Sequence, residues 1–391
     1  MDSFLLRMKR FCGFLFGMVF FYSGLIKLMD PVGAGLVVKE YFDFMHIGFM
    51  APTAKFFGVV LALAETILGA ALACGVWRKP VGLAAIIMQG LFTFITLLLL
   101  IFNPEMDCGC FGEAIELTHL ETFIKNIILL ALILTYYYPN KHLGEPTKKK
   151  YVSFGIIAAS SVAFMIYSLM SIPLVDFTAY ESGAELLAAN SDGGDDMYEA
   201  VFTYEKDGKT EEFTLDALPD STWTFVSTDT RLKEEFEDAI IELSIFDPRT
   251  QSYADTLAAN GKVLIVSLYD TDIREGRWDK ISDIVCDAAA CGIRPLILAT
   301  ETGNVPEALQ DFAYTSDYKT LISLNRSNAG VTYFHDGTLI KKWSHRSAPD
   351  SEEIREIASG DPTETAIDYE SKGSLGFQGF LLYVSAVLLL L

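Results

Sequence analysis

The chain is short of basic charge: 30 lysines and arginines stand against 51 aspartates and glutamates, a formal net charge of −21. So acidic a surface repels phosphate backbones, and no basic patch interleaved with aromatics offsets it, which excludes a nucleic-acid partner. Cysteine is scarce as well. Cys12 and Cys74 sit in apolar runs, Cys108 and Cys110 form a close pair, and Cys286 and Cys291 lie far downstream; six in 391 residues are too few for a disulfide scaffold. There is no repeat of solenoid length and no low-complexity segment beyond a short tether. A small-residue cleavage site is lacking too. Arg7, Lys9 and Arg10 precede an apolar run that continues to Leu28, so the run reads as an uncleaved first membrane helix.

Apolar residues, by contrast, are abundant, at 51% of the chain. Six segments can span a bilayer, which takes about 20 residues each: Phe11 to Leu28, Phe56 to Trp77, Val81 to Phe102, Thr122 to Tyr138, Val152 to Pro173 and Leu375 to Leu391. Arg78 and Lys79 join the second to the third, and Lys141, Lys148, Lys149 and Lys150 join the fourth to the fifth. Cytoplasmic loops hold the excess of basic residues. Both termini are therefore expected inside, with the Cys108/Cys110 loop and the acidic segment 176–374 outside the cytoplasmic membrane. The expected division is 1–145 as a four-helix membrane domain, 146–175 as a fifth membrane helix, 176–374 as a tether with an α/β domain, and 375–391 as a last membrane helix.

The segment Asp107-Cys108-Gly109-Cys110-Phe111-Gly112 is polar and wedged between two apolar runs. A Cys-x-Cys pair closes only through a tight turn, and glycine tolerates the positive φ such a turn needs. An exposed, strained disulfide is easily reduced. Three readings stay open: a redox pair, an inert disulfide, or metal binding with Asp107, Glu113 or His119. Thr118 to Glu121 has the pattern of a capping box, so the loop ends at a helix N-terminus with Lys125 one turn further in. Both would favour a thiolate. Glu65 falls in the middle of the second span, where a carboxylate is costly enough to be a functional candidate or a hydrogen-bonded structural group. Lys27 and Lys125 are expected to snorkel towards headgroups, and Gln89 to bond a neighbouring helix.

Beyond the tether at 183–199, a hairpin is expected at 198–215 around Lys206-Asp207-Gly208. Then follow a strand at 239–246, a short helix at 253–259, a buried strand at 262–269, a helix at 278–290, a strand at 295–300, a helix near 306–312 and a hairpin around Asp336-Gly337. Strands alternating with helices indicate a sheet covered by helices. Cys286 and Cys291, five apart on a helix, are expected as buried core residues on different faces, and His335 and His345 as structural.

Tyr22-Ser23-Gly24-Leu25-Ile26-Lys27-Leu28, Ala64-Glu65-Thr66-Ile67-Leu68-Gly69 and Cys108-Gly109-Cys110-Phe111-Gly112 resemble the DoxX family in its cysteine-bearing MauE (methylamine utilisation) branch, over about residues 8 to 140. The resemblance implies a four-helix membrane bundle with thiol-disulfide or quinone-linked redox chemistry acting on exported proteins. On that reading Cys108, Cys110, Lys125 and Glu65 are catalytic, Glu65 and Lys27 line a quinone environment, and membrane lipid and an extracytoplasmic protein are partners. With Ile245-Phe246-Asp247, the strand Lys262-Val263-Leu264-Ile265-Val266, and Val331-Thr332-Tyr333-Phe334 before Asp336-Gly337-Thr338-Leu339-Ile340 in that order, the acidic segment resembles a thioredoxin-like domain of the TlpA or peroxiredoxin type. It departs where the chemistry would sit: Asp270-Thr271-Asp272-Ile273 replaces Cys-x-x-Cys, and Gly330 stands where that family usually has a cis-proline. The rival reading is a non-catalytic membrane scaffold whose outer domain binds an envelope protein.

Overall fold

The computed structural model describes all residues except 1, 105, 107–108, 110–116, 139–145, 187–197, 207–208, 215–217, 220–222, 233–239 and 391. Two compact units result, Met1–Phe177 with Ser371–Leu391, and Thr178–Glu370. The first holds α1 (Asp2–Met29), α2 (Pro31–Phe44), α3 (Ala54–Cys74), α4 (Arg78–Phe102), α5 (His119–Tyr137) and α6 (Lys148–Met170), together with the end of α11 (Pro362–Leu390). Among the described residues, six helices are long and apolar enough to cross a membrane: α1, α3 with the 3-10 turn before it, α4, α5, α6 and α11. These coincide with the six expected spans. The last, however, starts at Pro362 rather than Leu375.

The connection from α1 to α3 is not a loop. Asp30 caps α2, its Oδ1 accepting from Val32 N at 3.1 Å and Gly33 N at 2.9 Å, with Pro31 in the first turn. An N-cap aspartate followed by proline is a strong helix start. At 14 residues α2 is too short to span.

Helices α1 and α3 run antiparallel at very close range. A Cβ on Gly17 would lie 2.7 Å from both Gly69 O and Ala73 N. Gly69 in turn faces the backbone of Phe21, and Gly24 faces Ala62 and Thr66. Small residues allow such backbone approach where apolar burial drives little association. Helices α4 and α5 pair through stripes stepping by three and four: Gly82, Ala85, Gln89, Thr96 and Leu99 against Thr122, Asn126, Leu129, Ile133 and Tyr136. These registers divide the bundle interior in two. Towards the end carrying the α4–α5 connection it is polar, with Ser23, Lys27, Glu65, Gln89, Thr96, Thr122 and Asn126 buried. The other half is apolar, built on Cys12, Phe16, Phe20, Leu72, Ala85, Leu129 and Ile133. Helix α6 pairs with α11 through Phe164 against Phe380 and Tyr383, and Ser160 Oγ lies 3.1 Å from Tyr383 OH.

The second unit contains β1 (Glu185–Leu186), β2 (Tyr198–Lys206), β3 (Lys209–Thr214), β4 (Thr224–Leu232), β5 (Ile240–Ile241), β6 (Phe246–Asp247), β7 (Ser252–Tyr253), α7 (Thr256–Ala259), β8 (Lys262–Leu268), α8 (Glu275–Ala290), β9 (Arg294–Ala299), β10 (Ala313–Thr315), α9 (Tyr318–Leu324), β11 (Gly330–His335), β12 (Thr338–Trp343) and α10 (Ser351–Ser359). One sheet has the order β5-β1-β12-β11-β8-β9-β10-β6-β7; a second is β3-β2-β4. Strand β8 is buried from Val263 to Leu268, as the continuous apolar run demands of a central strand. It pairs in parallel with β9, and β9 with β10, while β11 runs antiparallel to β8 and to β12. Asp336 (φ 46°) and Gly337 (φ 79°) turn the β11–β12 hairpin in the left-handed conformation that such tight turns use.

Three expectations are corrected in this unit. The strand at 239–246 breaks at Ser244 (φ 49°) into β5 and β6, which lie towards opposite edges of the sheet. The helix near 306–312 is a 3-10 turn at Glu307–Phe312. The start of the tether is pinned: β1 pairs with β5 and β12, and Leu186 is 1% exposed; the rest of the tether up to 197 lies outside the described residues. The expected hairpin at 198–215 is β2–β3, and β4 adds a third strand that the sequence reading did not include.

Candidate functional site

Cys108 and Cys110, with Asp107, Phe111, Gly112 and Glu113, lie outside the described residues. What surrounds them is described. Gly109, between the two cysteines, has φ +54°, and a Cβ there would collide with the Val37 side chain on α2. Position 109 is thus reserved for glycine twice over, by backbone conformation and by contact. The connection is held at its ends: His119 Nε2, at the start of α5, donates to Pro104 O at 3.1 Å, just past the end of α4. The capping box forms. Glu121 N donates to Thr118 Oγ1 at 3.3 Å, and Glu121 Oε2 accepts from Thr118 N at 3.0 Å. Lys125 lies half-buried further along α5.

The most prominent described group is a buried charge pair between α1 and α3. Lys27 Nζ is 2.7 Å from Glu65 Oε1 and 2.8 Å from Oε2. Ser23 Oγ donates to Glu65 Oε2 at 2.7 Å, and Lys27 also donates to Ser23 Oγ at 3.2 Å. Glu65 is 1% exposed, Lys27 and Ser23 8% each. Lys27 therefore does not snorkel. Its stem follows the α1 face on which Ser23 sits one turn back, and a buried carboxylate outcompetes distant headgroups for the amine. The ammonium also lies 5.8 Å from the Phe92 ring on α4. All of this bonding is internal: the amine and both carboxylate oxygens are engaged, so Glu65 and Lys27 offer a quinone carbonyl no free donor. As arranged, the pair does not fit a quinone head group.

Across the bundle, Gln89 Nε2 donates to Asn126 O at 3.0 Å, and Asn126 Nδ2 donates to Thr96 Oγ1 at 3.2 Å. Gln89 therefore makes the expected bond between helices, as one member of a wider polar seam. The motif reading missed the Lys27–Glu65 pairing and this seam. The signal was present in two opposite charges on successive membrane spans, with Gly17, Gly24 and Gly69 fixing the register.

Comparison with known families bears on this region. The family model of the methylamine utilisation protein MauE matches residues 5–139. This region is MauE-like. The match takes in α1 to α5 and the Cys108–Cys110 segment, and with the six apolar helices it makes the chain a multi-pass membrane protein. Residues 198–235, which carry the β3-β2-β4 sheet, match a Domain of unknown function (DUF8463). No curated protein and no solved structure matches the chain.

Outside the MauE-like region, Asp270-Thr271-Asp272-Ile273 falls between β8 and α8. Thr271 Oγ1 donates to Glu301 Oε1 at 3.2 Å and accepts from Asn304 Nδ2 at 3.0 Å. Asn328 bonds the backbone of Asp270 on both sides, its Nδ2 donating to Asp270 O at 2.7 Å and its Oδ1 accepting from Asp270 N at 3.1 Å. At Gly330 the Asn325 amide lies directly against the Cα and donates to Val331 O and Trp343 O. Tyr269 donates to Arg326 O at 3.2 Å, and burial pushes its phenol up to about 12. Cys286 is exposed, so it is not the buried core residue expected, while Cys291, at the end of α8, is half-buried and packs against the edge of the core. Helix α8 buries Ile281, Ile284, Val285 and Ala288, a stripe that leaves position 286 on the opposite side. Cys12 and Cys74 are buried in the helical bundle, as expected. His345 takes a structural place, its Nδ1 2.8 Å from Ser327 Oγ and its Nε2 3.4 Å from Arg277. Among the described residues, no three His, Cys, Asp or Glu side chains gather as a metal site.

Proposed function

We propose that the chain is a membrane thiol-disulfide exchange protein of DoxX/MauE type, with Cys108 and Cys110 as the reacting pair and exported proteins as substrates. The observation that carries this reading is Gly109: a left-handed glycine packed on Val37 supplies the backbone a one-residue Cys-x-Cys turn requires. On this reading the Cys108–Cys110 disulfide belongs to the strained, exposed class, which has the higher reduction potential of labile, reactive pairs. A substrate thiolate attacks one sulfur of the Cys108–Cys110 disulfide, forming a mixed disulfide and releasing the other sulfur as a thiolate. A second substrate thiolate resolves it. The substrate leaves with one new disulfide, and the loop, having accepted two electrons, leaves as a dithiol. The capped start of α5 and Lys125 favour the thiolate leaving group, and the Lys27–Glu65 clamp fixes the α1–α3 frame from which α2 and Val37 meet Gly109.

Residues 178–370 fit a supporting role in this scheme as a thioredoxin-like module without its own dithiol. The order β12-β11-β8-β9-β10, with β8, β9 and β10 parallel, β11 antiparallel to both its neighbours and α8 crossing between β8 and β9, supports that fold. The Thr271–Glu301–Asn304 network, standing where a dithiol would be, favours presentation of a partner over catalysis. In the rival reading the whole chain is a scaffold and the cysteines are inert. A Cys110→Ser chain separates the two. Redox function predicts that the Cys108 thiolate, attacking a substrate disulfide in the reverse of this exchange, forms a mixed disulfide that no Cys110 can resolve, visible on non-reducing gels and lost when Cys108→Ser is added; absence of any such adduct favours the scaffold.

A further inference from the structure

Two buried oxygens in the α4–α5 seam have no hydrogen-bond partner among the described residues: Gln89 Oε1 and Thr122 Oγ1, on side chains with 0% exposure. Neither is explained by local bonding. Turning the Gln89 amide over would set its oxygen against Asn126 O, to which Nε2 now donates, so the orphan is the oxygen in either description. Other helical threonines in the membrane unit satisfy themselves: Thr66, Thr93, Thr96 and Thr135 each donate to the carbonyl four residues back. Thr122 does not, although its side chain is fully buried on the α5 stripe that also carries Asn126. Asn126 links the two sites, one turn along α5 from Thr122 and directly bonded to Gln89. Hydrocarbon cannot satisfy a carbonyl or hydroxyl, and a polar group left dry at this depth is costly.

We infer that the α4–α5 seam around Asn126 is a binding site for ordered water, which donates to Gln89 Oε1 and bonds Thr122 Oγ1. Water is the occupant the chemistry selects, because Gln89 asks for a donor, Thr122 can give or accept, and the neighbouring Asn126 and Thr96 already serve each other. The seam belongs to the polar half of the bundle, where Lys27 also faces Phe92 of α4. The water site is independent of the thiol chemistry and can be measured on a chain carrying Cys108→Ser and Cys110→Ser.

The test is water-edited solid-state NMR of the isotope-labelled full chain in lipid bilayers. Water magnetisation is expected at Gln89, Thr122 and Asn126 as early as at solvent-exposed residues, with Leu129 and Ile133 lagging. Thr122→Val, which keeps the shape, together with Gln89→Leu should abolish early transfer to Asn126. Transfer to Gln89 and Thr122 as slow as to Ile133 overturns the site, and so does early transfer to Asn126 that survives in Thr122→Val alone and in the double variant.

Discussion

Glu65 and Lys27 are each affordable in a bilayer only because of the other. Removing either leaves a buried charge, so Glu65→Ala or Lys27→Ala should cost about 3–5 kcal/mol. Glu65→Gln, which can still accept from Ser23 and Lys27, should cost less. Thermal unfolding in a mild detergent checks this, and a double-mutant cycle should show strong coupling; additive losses would contradict the pairing. Gly109 makes a second single-residue prediction. Alanine there must hold a left-handed φ, at about 1–2 kcal/mol, and must also displace Val37. Adding Val37→Ala should relieve the contact but not the backbone strain, giving partial rescue in the fraction of the pair found oxidised. Two tyrosines behave differently from each other. Tyr333 is fully buried and its hydroxyl has no hydrogen-bond partner among the described residues, so Tyr333→Phe should be neutral or stabilising, whereas Tyr269→Phe loses the bond to Arg326 O at about 1 kcal/mol.

At the scale of elements, the tightest seam is α1 against α3. Gly69→Ala places a methyl against the Phe21 backbone, and since backbone cannot yield as a side chain does, a loss of about 1–3 kcal/mol is expected, read by unfolding. Most elements were legible because their signals are local. Length and apolarity marked all six spans, the Thr118–Glu121 box marked the start of α5, and Asp336-Gly337 marked a hairpin. Helix α2 was equally legible from Asp30-Pro31, yet it stood in the shadow of the hydropathy reading, which sees only spans. What the sequence hid was relational. No local pattern tells that Ile240–Ile241 and Phe246–Asp247 part company at Ser244, or that Cys286 points away from the stripe α8 buries. The same holds for Lys27: its i−4 serine is in the sequence, but its partner 38 residues on becomes visible only once the glycines of α1 and α3 set a register.

The whole molecule joins a MauE-like membrane unit to an acidic α/β unit, and the two should respond differently to conditions. Tyr269 and Tyr333 ionise near pH 10 when unfolded and are pushed by burial up to about 12 in the fold. With folded values raised, their contribution is complete below pH 10 and is lost as pH climbs through 12, because the unfolded chain releases those protons first. Near-ultraviolet circular dichroism of the full chain should therefore show an alkaline transition in that window, shallower in a Tyr269→Phe, Tyr333→Phe chain. An unchanged slope would mean other groups govern it. The proposed thiol-disulfide function requires that the segment between α4 and α5 change state. The most direct measurement is an alkylation gel-shift of the Cys108/Cys110 pair in living cells, in a chain whose other four cysteines are replaced, through oxidant and reductant challenge. Cycling between an oxidised and a doubly alkylated form is the predicted result; a pair locked in one state throughout would contradict the redox account.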